Sequence, residues 1–170
     1  MENSDSEFIE VYLYAENSNK QHIIFNEEFN ITKIKFFIDE IKAEETVFRK
    51  FITKRLEIAN AVVKIPKGKE VTILGENINV ESKNYVGNLN IFIEKGIVKL
   101  NTVQANATVK MYAGNVFATV KNANINVVSN LGKIEIDAKI FQKKYKKIDK
   151  KNKYNFSINS VKTNIFLTTK

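Results

Sequence analysis

Residues 114–140 read GNVFATVKN-ANINVVSNL-GKIEIDAKI, with a glycine or alanine at every ninth position. Six such units run without a gap from residue 87, and their first positions are Gly87, Gly96, Ala105, Gly114, Ala123 and Gly132. The third positions (Leu89, Val98, Ala107, Val116, Ile125, Ile134) and the fifth (Ile91, Leu100, Val109, Ala118, Val127, Ile136) are all apolar. The seventh positions are mixed but mostly small or apolar, and Asn, Lys, Thr and Glu fill the gaps between. Alternation at positions three, five and seven has period two, so each unit predicts one short strand with one buried face.

The small residue falls where the chain must turn tightly. Glycine takes positive φ there without penalty, and a neighbouring asparagine tolerates it better than most residues. An antiparallel meander could use such corners too. An unbroken short period, however, marks a solenoid whose strands stack on earlier ones. With two strands per coil, residues 87–95 should lie beneath 105–113 and then 123–131. The expected fold class is all-β, a parallel β-helix with about nine residues per strand-and-corner unit.

Outside the repeats, VVKIPKGKEVTILGENINVES (62–82) reads as two strands bridged by the Pro66-Lys67-Gly68 turn, with a further strand pair after Gly75. Residues 7–15 and 21–25 read as strands joined by ENSNK. The segment 34–56 fits helical spacing tolerably, but IKFFI and VFRKFI favour strands. Two alternating segments in 154–169 could close the far end, since a solenoid's terminal strands otherwise expose apolar surface and unpaired edges. The organisation expected is a single β-helical domain over 1–170. Its parts are N-terminal strands or cap (1–60), repeats (61–140), a lysine-rich loop (141–153) and a C-terminal rung or cap (154–170).

At 170 residues, 44% hydrophobic and 27% charged, the chain can bury a real core, and wholesale disorder is not expected. No apolar run reaches the roughly 20 residues of a membrane-spanning helix, and FIEVYLYA (8–15) lacks the form of a signal peptide. Absence of cysteine excludes disulfides and thiol catalysis. The net charge of +8 comes mostly from KKYKKIDKKNK (143–153), seven lysines against Asp149. Such a run is usually a solvated insertion loop, and otherwise a working basic patch.

The run VVKIPKGKEVTI, the strands with glycine corners and the closing NFSINSVKTNIFL resemble the putative-adhesin β-helix repeat domains of bacterial cell-envelope proteins. The likeness covers roughly residues 60–170. It implies a single-stranded, right-handed parallel β-helix, exported to the periplasm or cell surface, and no catalytic residues carry over from it. Two departures stand out: the corners are Gly-Asn, Ala-Asn and Gly-Lys in place of Ser-Gly-Asp, and the signal peptide of exported members is missing from this chain.

Candidate chemistry is sparse. The sole histidine, His22, lies in an apolar stretch and has no second His or Cys to join it in a metal site or triad. The repeat corners carry no aspartate, so a calcium-binding nonapeptide is not expected. A polysaccharide-cutting β-helix needs paired carboxylates. Within the repeats the acids are Glu94, Glu135 and Asp137, of which Glu135 and Asp137 share the outward face of one strand. A solvated strand face accounts for that pair equally well. No catalytic, cofactor-binding or metal-ligating residue is assigned, and no cofactor is expected.

Tyr145 and Tyr154 beside the lysine run (Lys143 to Lys153) could stack on bases, but no nucleic-acid-binding module is recognisable. Phe92, Phe117 and Val128 fall at outward positions, Phe92 and Val128 on one column with Lys110 between them. Either the N-terminal strands cover them or they belong to a partner site. Asn90, Thr108 and Asn126 share another outward column and could form a polar ladder. The leading expectation is a non-enzymatic envelope module binding a surface glycan or an envelope protein. The alternatives are a carbohydrate-active β-helix enzyme and a cytoplasmic anion- or nucleic-acid-binding protein.

Overall fold

The computed structural model describes residues 1–14, 21–38 and 60–170. All regular structure among them is β. Contacts divide the chain into two compact units, one of residues 1–11 and 63–170, the other of residues 12–62.

In the smaller unit, β3 (Gln21–Glu28) pairs antiparallel with β4 (Ile31–Ile38). Phe29 and Asn30 join them with φ of 52° and 62°. Positive φ at both central residues is the two-residue turn whose twist matches flanking strands. Residues 34–38 are therefore strand, as IKFFI suggested, while VFRKFI and the ENSNK turn lie outside the described residues. The partner of β3 is β4 rather than the strand before it. That earlier strand, β2 (Glu10–Tyr14), instead joins β1 (Glu2–Asn3) and β5 (Asn60–Ile65) in a three-stranded sheet ordered β1-β5-β2.

The larger unit is built on the repeats. Its strands are β6 (Val71–Asn77), β7 (Val80–Ser82), β8 (Leu89–Val103), β9 (Ala107–Val120), β10 (Ala123–Ser129), β11 (Ile134–Ile136), β12 (Lys139–Phe141), β13 (Lys144–Lys147) and β14 (Tyr154–Thr169). The Pro66-Lys67-Gly68 turn forms, with Gly68 at φ 79°, but it does not make a hairpin. β5 pairs with β1 and β6 with β8.

The long strands each bury both halves of their alternation. In β8 the inward residues are Leu89, Ile91 and Ile93, then Val98 and Leu100. That set slips by one residue across Gly96. A slip of one would send half the strand's apolar side chains to solvent on a straight strand. The chain must therefore change direction there, so that both halves face one core. Gly96 and Gly114 have φ of 148° and 132°, and a Cβ on Gly114 would stand 1.9 Å from the carbonyl oxygen of Gly96. The glycine is needed for close stacking as much as for turning. Ala105 and Ala123, both buried, take no positive φ; at the latter corner it is Asn122 that does, with φ 51°.

The stacking is parallel and follows the 18-residue step at first: Leu89 lies against Ala107 and Val98 against Val116. It then departs from the expectation. Residues 123–131 do not stack on 105–113, because β14 occupies that place. Phe156 lies against Ala107 on one side and Ile125 on the other. Segment 154–169 is thus an interior layer, not the cap at the far end. Phe156 is fully buried, and small Ala107 makes room for its ring.

The far end is closed differently. The sixth repeat breaks at Asp137 and Ala138, whose φ of 49° and 63° form a tight turn between β11 and β12. Ala138 is consequently exposed instead of inward. The lysine run is not simply a loop, since Lys144–Lys147 form β13, antiparallel to β10. A lysine-rich strand at a sheet edge resists pairing with another chain, so the charge has a structural use.

Candidate binding surface

The outward residues of the parallel layers line up in columns, because the register is in phase. One column runs Leu74, Phe92, Lys110, Asn159 and Val128. Sequence reasoning placed Phe92, Lys110 and Val128 on it and missed Asn159, which arrives with β14. Beside this column, Phe92, Lys110, Tyr112, Asn159 and Val161 line an open groove of about 490 Å³. Lys110 Nζ lies 5.4 Å from the Phe92 ring centroid, and Lys162 Nζ lies 5.7 Å from that of Tyr112. Ammonium groups at this range are held by the ring quadrupole. The groove therefore presents aromatic rings, cations, an amide and the Glu94 carboxylate on a sheet face.

A second outward face carries Phe117. Its ring stacks on Phe166 with centroids 5.0 Å apart and planes 9° from parallel. Lys133 Nζ sits 5.9 Å from the Phe166 centroid and 2.7 Å from Glu135 Oε2. Phe166, like Asn159, could not be placed here from the repeat period alone.

The polar ladder exists one column away from where it was expected. Asn90, Thr108 and Asn126 do share a column, but Ser157 separates Thr108 from Asn126 and donates to Thr108 Oγ1 at 3.3 Å. The longer ladder is at the corner. Asn106 donates to Asn88 Oδ1, the Asn155 amide to Asn106 Oδ1, and Asn124 Nδ2 to Asn155 Oδ1. The Gly-Asn and Ala-Asn dipeptides were the visible signal. These asparagines satisfy corner amides that the strand ladder leaves unpaired.

The carboxylate pair separates. Glu135 is bound by Lys133, whereas Asp137 turns into the β11–β12 hairpin and accepts from Thr169 Oγ1 at 2.6 Å and Thr169 N at 2.8 Å. Each of the two carboxylates is thus engaged by a neighbouring residue. Those bonds, the hydroxyl's first, hold the Asp137 carboxyl below the usual carboxylate range. A depressed folded pKa contributes stability above the unfolded value of about 3.9 and loses it as pH falls through the folded one. Asp137→Asn should thus melt below the unaltered chain at pH 7, with the gap closing below about pH 4. A gap that persists unchanged into acid would show that the charge contributes nothing.

Glu94 is exposed and lies 3.9 Å from Lys95. His22 stands on β3 opposite Phe37. Tyr145 and Tyr154 are partly buried and pack against the core, Tyr145 edge-on to Phe141 at 4.7 Å. Among the described residues no group of three His, Cys, Asp or Glu could hold a metal ion, and no helix is long and apolar enough to cross a membrane.

No family model and no curated protein matches this chain. Among solved structures, the fold is similar to that of a putative cell adhesion protein from Clostridium sporogenes, with a TM-score of 0.65. The two are 10% identical, and the match covers 99% of this chain and 86% of that one. At this identity the likeness speaks to the all-β fold alone.

Proposed function

We propose that this chain is a non-enzymatic module of the bacterial cell envelope that binds a surface glycan. Its parallel layers are read as coils of one right-handed, single-stranded β-helix. The observation that carries the proposal is the groove in which the Phe92 and Tyr112 rings, with Lys110 and Lys162 over them, adjoin Asn159 and Glu94. Sugar rings present an apolar C–H face to an aromatic and hydroxyls to amides and ammonium groups, and a shallow groove on a flat sheet admits an extended chain. The fold similarity to a putative cell adhesion protein supports a surface role. The carboxylates engaged by Lys133 and Thr169 support a role without catalysis.

Glycan-array screening of the full chain tests this, followed by titration of Tyr112→Ala and Phe92→Ala. Each lost ring contact should weaken saccharide binding about tenfold, corresponding to about 1.4 kcal/mol, while melting temperature stays within a few degrees. In the native cell the protein should fractionate with the envelope. A cytoplasmic protein whose binding to nucleic acid falls steeply with salt would overturn the proposal in favour of the lysine run.

A further inference from the structure

β14 is the one layer of the ladder that lies out of chain order. β6, β8 and β9 stack in sequence, β14 takes the next place, and β10 with β11 the one beyond. Partners in the ladder are 18 residues apart between β8 and β9, then 49 between β9 and β14, and 31 between β10 and β14. Lys121 and Asn122 carry the chain past the gap that β14 fills. Asn122, at φ 51°, also anchors the filler, because its carbonyl oxygen accepts from the amides of Lys153 and Tyr154.

Every ladder contact of β14 is with β9, β10 and β11. Its buried side chains Phe156, Ile158, Ile165 and Leu167 bridge two layers of the same repeat pattern. Such contacts are equally good whether the strand comes from its own chain or from another. The tether is residues 148–153, a mostly exposed lysine-rich stretch that could span about 20 Å if extended. In one respect β14 differs from its neighbours. In the corner column of Gly96, Gly114 and Gly132 it supplies Thr163, whose Oγ1 is buried without a hydrogen-bond partner. An unpaired buried hydroxyl is a penalty that the glycine layers do not carry.

We propose that β14 exchanges between two copies of this chain. Each copy's residues 154–169 then fill the gap between β9 and β10 of the other. Reciprocal exchange of one element conserves all its contacts and is a low-cost route to a two-fold dimer.

The absence of native cysteine allows a direct test. Thr108 and Ser157 are register partners with side-chain oxygens 3.3 Å apart. Neighbouring strands about 4.8 Å apart are within the Cα range of a disulfide. Full-length Thr108→Cys and full-length Ser157→Cys chains would be unfolded together and refolded under oxidising conditions over a range of concentrations. The double variant confirms the geometry, forming its disulfide within one chain when refolded dilute and between two chains where exchange occurs. Exchange predicts a mixed disulfide that rises with concentration and exceeds either like-with-like dimer at least tenfold. Random association would give only a twofold excess and would overturn the proposal. So would native mass spectrometry finding the unaltered chain monomeric at every refolding concentration.

Discussion

Val109→Lys is expected to lose roughly 4–9 kcal/mol of stability and to unfold the middle layers. Val109 has no exposed surface, lying between Ile91 and Ile158 in the inward column. The change removes a buried valine worth about 1.5–3 kcal/mol, adds volume at a cost of about 1–3, and strands a polar head for about 1–3 more. A total stability of about 5–15 kcal/mol leaves little margin. Lys110, one residue on, is exposed and faces the groove, so Lys110→Gln should shift stability by no more than about 0.5 kcal/mol. Paired thermal melts of these two variants check the alternation directly. An unchanged melting temperature in Val109→Lys would refute the inward column.

Gly114→Val should cost roughly 2–6 kcal/mol, for a reason that side-chain burial does not capture. Its φ of 132° is a conformation that a β-branched residue rarely adopts, and the new Cβ would collide with the backbone oxygen of Gly96. Strain of about 1–3 kcal/mol and overpacking of similar size combine. Neither is relieved by a rotamer change, since the obstacle is main chain. Gly68 offers the contrast: its φ is also positive, but nothing lies within 4 Å of an added Cβ. Gly68→Ala should therefore show only the conformational part of the penalty. Urea denaturation of both variants would separate stacking from turning, and equal losses would mean that close approach at Gly114 is unimportant.

The repeats carry much of the fold. Columns at Leu89, Ile91, Val98 and Val109 were legible because alternation fixes which face is buried, and the nine-residue beat fixes where the chain turns. The 18-residue register of β8 on β9 followed from the same beat. The outward column with Phe92 and Lys110 was legible for this reason too, and both residues line the candidate groove.

What the pattern left open is which strand stacks on which. The nine-residue step predicted 123–131 on 105–113, but any alternating strand of the right length satisfies a parallel layer, and residues 154–169 take that place. Only long-range packing chose between them, and it put Phe156 over Ala107. Asn159 in the groove and Phe166 against Phe117 follow from that choice. The Asp137-Ala138 turn likewise overrode the sixth repeat, because a two-residue hairpin satisfied the far edge of the ladder at the expense of one inward alanine. The sequence by itself determined the faces, the corners and the spacing of the layers, which are local properties of alternating side chains and small residues. The order of the layers was decided by tertiary structure, since the free energy that sets it exists only between strands distant along the chain.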